Sequence, residues 1–137
     1  MAGKQPKRLP RPGIDEYGRA PLHHASSAGD LPKVVALLIA GAAIDLQDDD
    51  GWTALHFAVQ ERKEDITRAL LQGGANPNLQ NSHGNSSLWV AIMNARGDFT
   101  TIKALLAAGA DPAQKNVHAK SPKDMAQLMR QGLEAVV

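Results

Sequence analysis

At 137 residues the chain has room for one domain of ordinary size, and its 43% apolar content is that of a globular protein. The absence of cysteine excludes disulfides and thiolate metal sites and agrees with a reducing compartment. The formal charge of +1 hides an asymmetry, because Lys4, Lys7, Arg8 and Arg11 precede the first acid, Asp15, and leave 11 basic against 14 acidic residues in the body.

Residues 1–14 are expected to form a flexible basic tail, carrying Pro6, Pro10 and Pro12 and no apolar run. Such a stretch lacks the hydrophobic segment of a secretory signal. Nothing later approaches the roughly 18 apolar residues of a membrane span, so a cytoplasmic protein without a membrane partner is expected. A basic tail on a mildly acidic body also differs from the basic stripe that nucleic-acid recognition uses, which makes nucleic acid an improbable partner.

From Asp15 onward the chain repeats itself every 33 residues. Gly18, Leu22, His23, Ala25, Leu37, Leu38, Gly41 and Ala42 return as Gly51, Leu55, His56, Ala58, Leu70, Leu71, Gly74 and Ala75. Residues 15–137 are therefore read as one domain, with copies at 15–47, 48–80 and 81–115 and a truncated capping copy at 116–137. In the first copy Pro21 suits an opening helical turn, and Leu22, Ala25 and Ala28 predict a short helix ending near Gly29. A second helix follows, with Leu31, Val34, Leu37 and Leu38 on one face and Gly41 just past its end, where a left-handed cap is needed. Ile44–Asp50 is too short for a helix and predicts an extended hairpin.

The first helix of the second copy opens on Thr53 and that of the third on Ser86, both good N-caps. The third copy has Trp89 where the first two have His23 and His56, and an extra pair of residues within Asn94–Gly97. In the last copy Ala119 replaces the hairpin glycine and Lys123 a core leucine, changes suited to an outer layer that meets water. No helix of these copies buries its apolar side alone, so stability has to come from stacking each copy on the next.

Candidate chemistry is sparse. His24 neighbours His23, and adjacent helical residues diverge too far to share a metal. His83 and His118 fall on hairpin tips one copy apart with no further ligand beside them. Asp48, Asp49 and Asp50 form the sharpest charge run, read either as a solvated turn or as an acidic fingertip for a basic partner surface. No phosphate-binding glycine loop and no serine-centred nucleophile motif is present, so no catalytic, cofactor or metal residue is assigned.

The stretches Gly51-Trp52-Thr53-Ala54-Leu55-His56-Phe57-Ala58 and Leu70-Leu71-Gln72-Gly73-Gly74-Ala75-Asn76 resemble the signature of ankyrin-repeat proteins, and the resemblance extends from residue 15 to about residue 131. It implies an all-α solenoid of helix-turn-helix units joined by short β-hairpin loops, with His23 and His56 tying hairpin to helix. It also implies a concave groove that binds protein. On this sequence the groove takes Tyr17, Arg19, Asp49, Asp50, Trp52, His83, Asn85 and His118 from the tips, beside Glu16, Ser82, Val117 and Lys120. From the first helices and the inserted loop it takes Gln60, Glu61, Met93, Asn94 and Arg96, beside Ser27. Tyr17 and Trp52 are the expected aromatic anchors, in an interface of roughly 800 Å² per partner.

The third copy, with its Gly-Asn-Ser-Ser-Leu-Trp and Asn-Ala-Arg-Gly-Asp segments, resembles small stand-alone bacterial proteins of this family, some of which neutralise toxins as immunity partners. A monomeric, non-catalytic inhibitor is therefore the first expectation and an enzyme-regulating adaptor the second. Nucleic-acid binding through the tail comes last.

Overall fold

The structure is a computed structural model that describes residues 11–129 and 132–137. Lys4, Lys7, Arg8, Pro6 and Pro10 of the basic tail lie outside the described residues. In chain order the helices are α1 (Pro21–Ala28), α2 (Leu31–Ile39), α3 (Ala54–Gln60), α4 (Glu64–Gln72), α5 (Ser87–Met93), α6 (Thr100–Ala107) and α7 (Pro122–Met129), followed by a 3-10 turn at Leu133–Ala135.

The helices begin and end where local chemistry dictates. Pro21 occupies the first turn of α1, and Thr53 Oγ1 accepts the His56 amide at 3.2 Å to open α3. Ser86 Oγ accepts the Trp89 amide at 3.3 Å to open α5. Gly41, Gly74 and Gly109, just past the ends of α2, α4 and α6, have φ of 88°, 93° and 95°, which an L side chain resists. The two extra residues of the third copy form a turn between α5 and α6. There Ala95 is buried, while Arg96 at φ 45° and Gly97 at φ 83° carry the chain round.

The first helices α1, α3, α5 and α7 stack in one row, and the second helices α2, α4 and α6 stack in another. Leu55, Ile66, Leu70, Leu88, Ile92, Ile102 and Leu105 between them are at most 1% exposed. A buried alanine at the same position of each copy, Ala25, Ala58, Ala91 and Ala126, lets adjacent layers of the first row approach closely. In the last copy the 3-10 turn stands where a second helix would be. It buries Leu133 completely and brings Val136 and Val137 against the core. Lys123 and Gln127 of α7 are exposed, as an outer layer requires. Among the described residues no helix is long and apolar enough to cross a membrane.

The predicted β-hairpins need correction. Among the described residues they form no strand ladder, and each is a five-residue tip closed by a backbone bond between its ends, such as Asp48 N–H to Trp52 C=O at 2.8 Å and Asn81 N–H to Asn85 C=O at 3.0 Å. Inside each lies a tight turn, in which Gly51 N–H donates to Asp48 C=O at 2.9 Å and Gly84 N–H to Asn81 C=O at 2.8 Å. The cause is side-chain competition for the amides that a ladder would use. Asp48 Oδ1 accepts from the amides of Asp50 and Trp52, and Asn81 Oδ1 from those of His83 and Asn85. Asp15 and Asn116 repeat the arrangement in the first and last copies.

Candidate functional site

Successive tips are joined by one backbone hydrogen bond per step. The amide of Asp49 donates to Tyr17 C=O at 2.9 Å, that of Ser82 to Asp50 C=O at 2.9 Å, and that of Val117 to His83 C=O at 3.1 Å. The tips can come this close only because a glycine sits at each step. A Cβ on Gly51 would lie 2.8 Å from Asn81 Cα, and one on Gly84 2.7 Å from the Val117 nitrogen. Glu16 and Tyr17, Asp49 and Asp50, Ser82 and His83, and Val117 and His118 thereby form a row of exposed pairs in register.

Behind this row lie two histidines with structural duties. His56 Nδ1 accepts the Thr53 amide at 3.2 Å, while its Nε2–H donates to Asn85 C=O at 2.9 Å and ties the second copy to the third. His23 uses Nδ1 for the Ala20 amide and Nε2–H for Leu46 C=O at 2.9 Å and Trp52 C=O at 3.2 Å. Burial holds both imidazoles below the ordinary 6.5, in the neutral form that this pattern of one acceptor and one donor requires. Trp89, at the same position in the third copy, is half-buried. In the last copy Asp124 takes this place, accepting the Ser121 amide at 2.9 Å through its carboxylate.

The acidic run divides into different roles. The Asp48 carboxylate is 1% exposed and its second oxygen accepts Arg19 Nε at 3.2 Å, so this acid is a fixed part of the tip. Asp49 and Asp50 are exposed, and Asp49 pairs with Arg11 at 3.2 Å. Arg19, fixed by Asp48, lies with its guanidinium carbon 5.2 Å from the centre of the Tyr17 ring and 5.1 Å from that of Phe57.

The two predicted anchors are placed differently. Tyr17 is 56% exposed, whereas Trp52 is half-buried, with ring centres 5.4 Å from His56 and 5.3 Å from Phe57. Trp52 thus leans over its own copy and presents only part of its surface.

Along the first-helix row Gln60, Glu61 and Met93 are exposed and Ser27 is half-buried. Asn94 is half-buried with its carbonyl accepting Arg62 Nη1 at 2.9 Å, and Arg96 projects beside it. Asn85 is half-buried and accepts from Asn116 Nδ2 at 3.0 Å, so it serves the joint between the third and fourth tips. His83, His118 and Lys120 are exposed, and among the described residues no three potential metal ligands converge. Two residues of this surface are absent from the sequence-derived set. Phe57 links Arg19 to Trp52, and Leu128, 66% exposed, takes in α7 the place that Met93 holds in α5. Shifting the Met93 position by one long copy would have found Leu128.

Comparison with known proteins agrees with this geometry. A family model described as ankyrin repeats, in three copies, matches residues 22–116, more than half of the chain. Over 58 residues, 42% of this chain, it is 41% identical to protein phosphatase 1 regulatory subunit 27 of Mus musculus, where the match spans 38% of that protein. A 41% identity over 58 residues also links it to calmodulin-binding transcription activator 3 of Arabidopsis thaliana, covering only 6% of that protein. A match of 46% over 48 residues to a putative palmitoyltransferase, ZDHHC13, of Danio rerio covers 7% of it. The chain therefore spans well under half the length of the curated relatives it matches.

Proposed function

The chain belongs to the ankyrin-repeat family, a frame for protein–protein interaction, and on that premise we propose that it is a non-catalytic binding protein acting in the cytoplasm. Its partner lies along the tips and the first-helix row. The observation that carries this reading is the in-register row of exposed tip pairs, with Tyr17 and the fixed Arg19 at one end and Met93 and Leu128 beside the other. Rigid aromatic and guanidinium groups beside adaptable apolar ones are what protein interfaces concentrate at their centres.

The first reading is a monomeric inhibitor or immunity protein that covers a basic functional surface of a toxin or enzyme. Asp49, Asp50 and Glu16 supply the opposite charge, which speeds encounter and fixes register. The second reading is an adaptor that regulates an enzyme, favoured by the relative named as a regulatory subunit of protein phosphatase 1. Both use the same surface.

The test is capture of the partner from the native cell, followed by titration with variants of the full chain. Trp52→Ala, and separately Asp49→Lys with Asp50→Lys, are each expected to weaken binding while helix content by circular dichroism is retained. Normal binding by both variants removes this surface from consideration.

A further inference from the structure

We propose that the acidic tips of the first two copies hold the chain's own basic N-terminal arm, through Arg11, as an internal occupant that a basic partner segment must displace. The observation is a guanidinium already seated there. Arg11 Nη2 lies 3.2 Å from both carboxylate oxygens of Asp49, across 38 positions of sequence, so the contact runs from the arm to the second copy. The chain is turned toward that tip by a tight bend in which the Ile14 amide donates to Arg11 C=O at 3.1 Å, with Gly13 at φ 71°. Both partners remain partly in water, at 35% and 25% side-chain exposure, so the pair sits on the binding surface and is no part of the core.

Charge runs the same way on both sides. Lys4, Lys7 and Arg8 lie within seven residues of Arg11, and the arm contains no acid before Asp15. The first two tips carry five acids, Asp15, Glu16, Asp48, Asp49 and Asp50, against one basic residue, Arg19, and His24 bonds to Asp15 at 2.8 Å. An exposed ion pair is individually weak and is screened by salt. Weakness of each contact is what a displaceable occupant needs, because tethering supplies a high effective concentration without any tight bond. The arm would then set the threshold that a partner's basic residues have to exceed, and would disfavour partners that offer only one of them.

This regulation rests on the tips being part of the partner surface, but the contact itself can be measured without a partner. The probe is a fluorescent synthetic peptide of residues 1–14, titrated by anisotropy at low salt into three full-length chains. These are the natural chain, an arm-neutralised chain (Lys4→Ala, Lys7→Ala, Arg8→Ala, Arg11→Ala), and the arm-neutralised chain with Asp49→Lys and Asp50→Lys added. Circular dichroism confirms that each is folded. If the natural tips are occupied about nine-tenths of the time, the probe binds the arm-neutralised chain about tenfold more tightly than the natural one. The added lysines are expected to abolish that binding. Equal affinity for the natural and arm-neutralised chains, or undiminished binding after the tip reversal, overturns the proposal. Failure of the probe while Trp52→Ala still releases the captured partner overturns the arm and leaves the binding surface standing. The opposite pair of results does the reverse.

Discussion

Replacing His56 by leucine tests how much the inter-copy ties contribute. The imidazole is 1% exposed and serves two backbone groups at once, the Thr53 amide at 3.2 Å and the Asn85 carbonyl at 2.9 Å. Leucine fills part of the space but leaves both without their partner, and each orphaned buried group costs about 1–3 kcal/mol. After allowing for the apolar surface that leucine buries, the expected loss is about 2–4 kcal/mol, a large share of the roughly 5–15 kcal/mol by which domains are stable. Urea unfolding followed by helix circular dichroism measures it. His24→Ala serves as a control, since His24 is exposed and its ring bonds to Asp15 at the surface, and its loss is expected to cost less than about 0.5 kcal/mol. Acid supplies a second readout. Burial lowers the His56 pKa from 6.5, so in the unfolded chain this group takes up its proton at a higher pH than in the folded one. Stability therefore falls as pH drops below about 6.5, and His23 adds to the fall for the same reason. The natural chain is expected to lose stability over this range more steeply than His56→Leu. A penalty below about 1 kcal/mol, or equal acid sensitivity in the two chains, refutes the assignment of these hydrogen bonds as the main tie.

Three further outcomes follow from the packing. Leu55→Asp places an unpaired charge at a site 1% exposed and is expected to abolish cooperative unfolding and most helix signal at room temperature; a native-like thermal transition contradicts this. Ala119→Gly relieves an alanine held at φ 60° and is expected to raise stability by about 0.5–1 kcal/mol, read as a higher urea midpoint, with an unchanged or lower midpoint as the failing result. Leu133→Ala is expected to cost about 2–5 kcal/mol if the 3-10 turn seals the last layer, and less than 1 if that turn merely rests on it; the urea midpoint decides.

The helical frame was legible because each copy states it in the same residues. Thr53 and Ser86 announce helix starts, Gly41 and Gly74 announce stops, and the leucines between them lie where the core forms. The tips were misread as extended hairpins because alternation and length say nothing of Asp48 and Asn81 capturing backbone amides with their side chains. Asp49 and Asp50 were legible as tip residues, but the burial of the Asp48 carboxylate beside them was not, a difference set by the orientation of a turn. Trp52 and Tyr17 looked alike as loop aromatics. Phe57, an ordinary helix residue, pulls one of them inward, and only three-dimensional adjacency reveals it. Leu133 gave no signal because a single leucine after an interrupted period has no register to belong to.

On the proposed binding surface, Arg19 has a consequence for the kinetics of recognition. Long cationic side chains ordinarily surrender rotational freedom when they meet a ligand, and that loss subtracts from affinity. Here a buried acid clamps one edge of the guanidinium while two aromatic rings flank it, so the surrender has already taken place within the free molecule. Loosening the clamp would leave the frequency of productive collisions nearly unchanged. It would shorten instead the time that each complex survives.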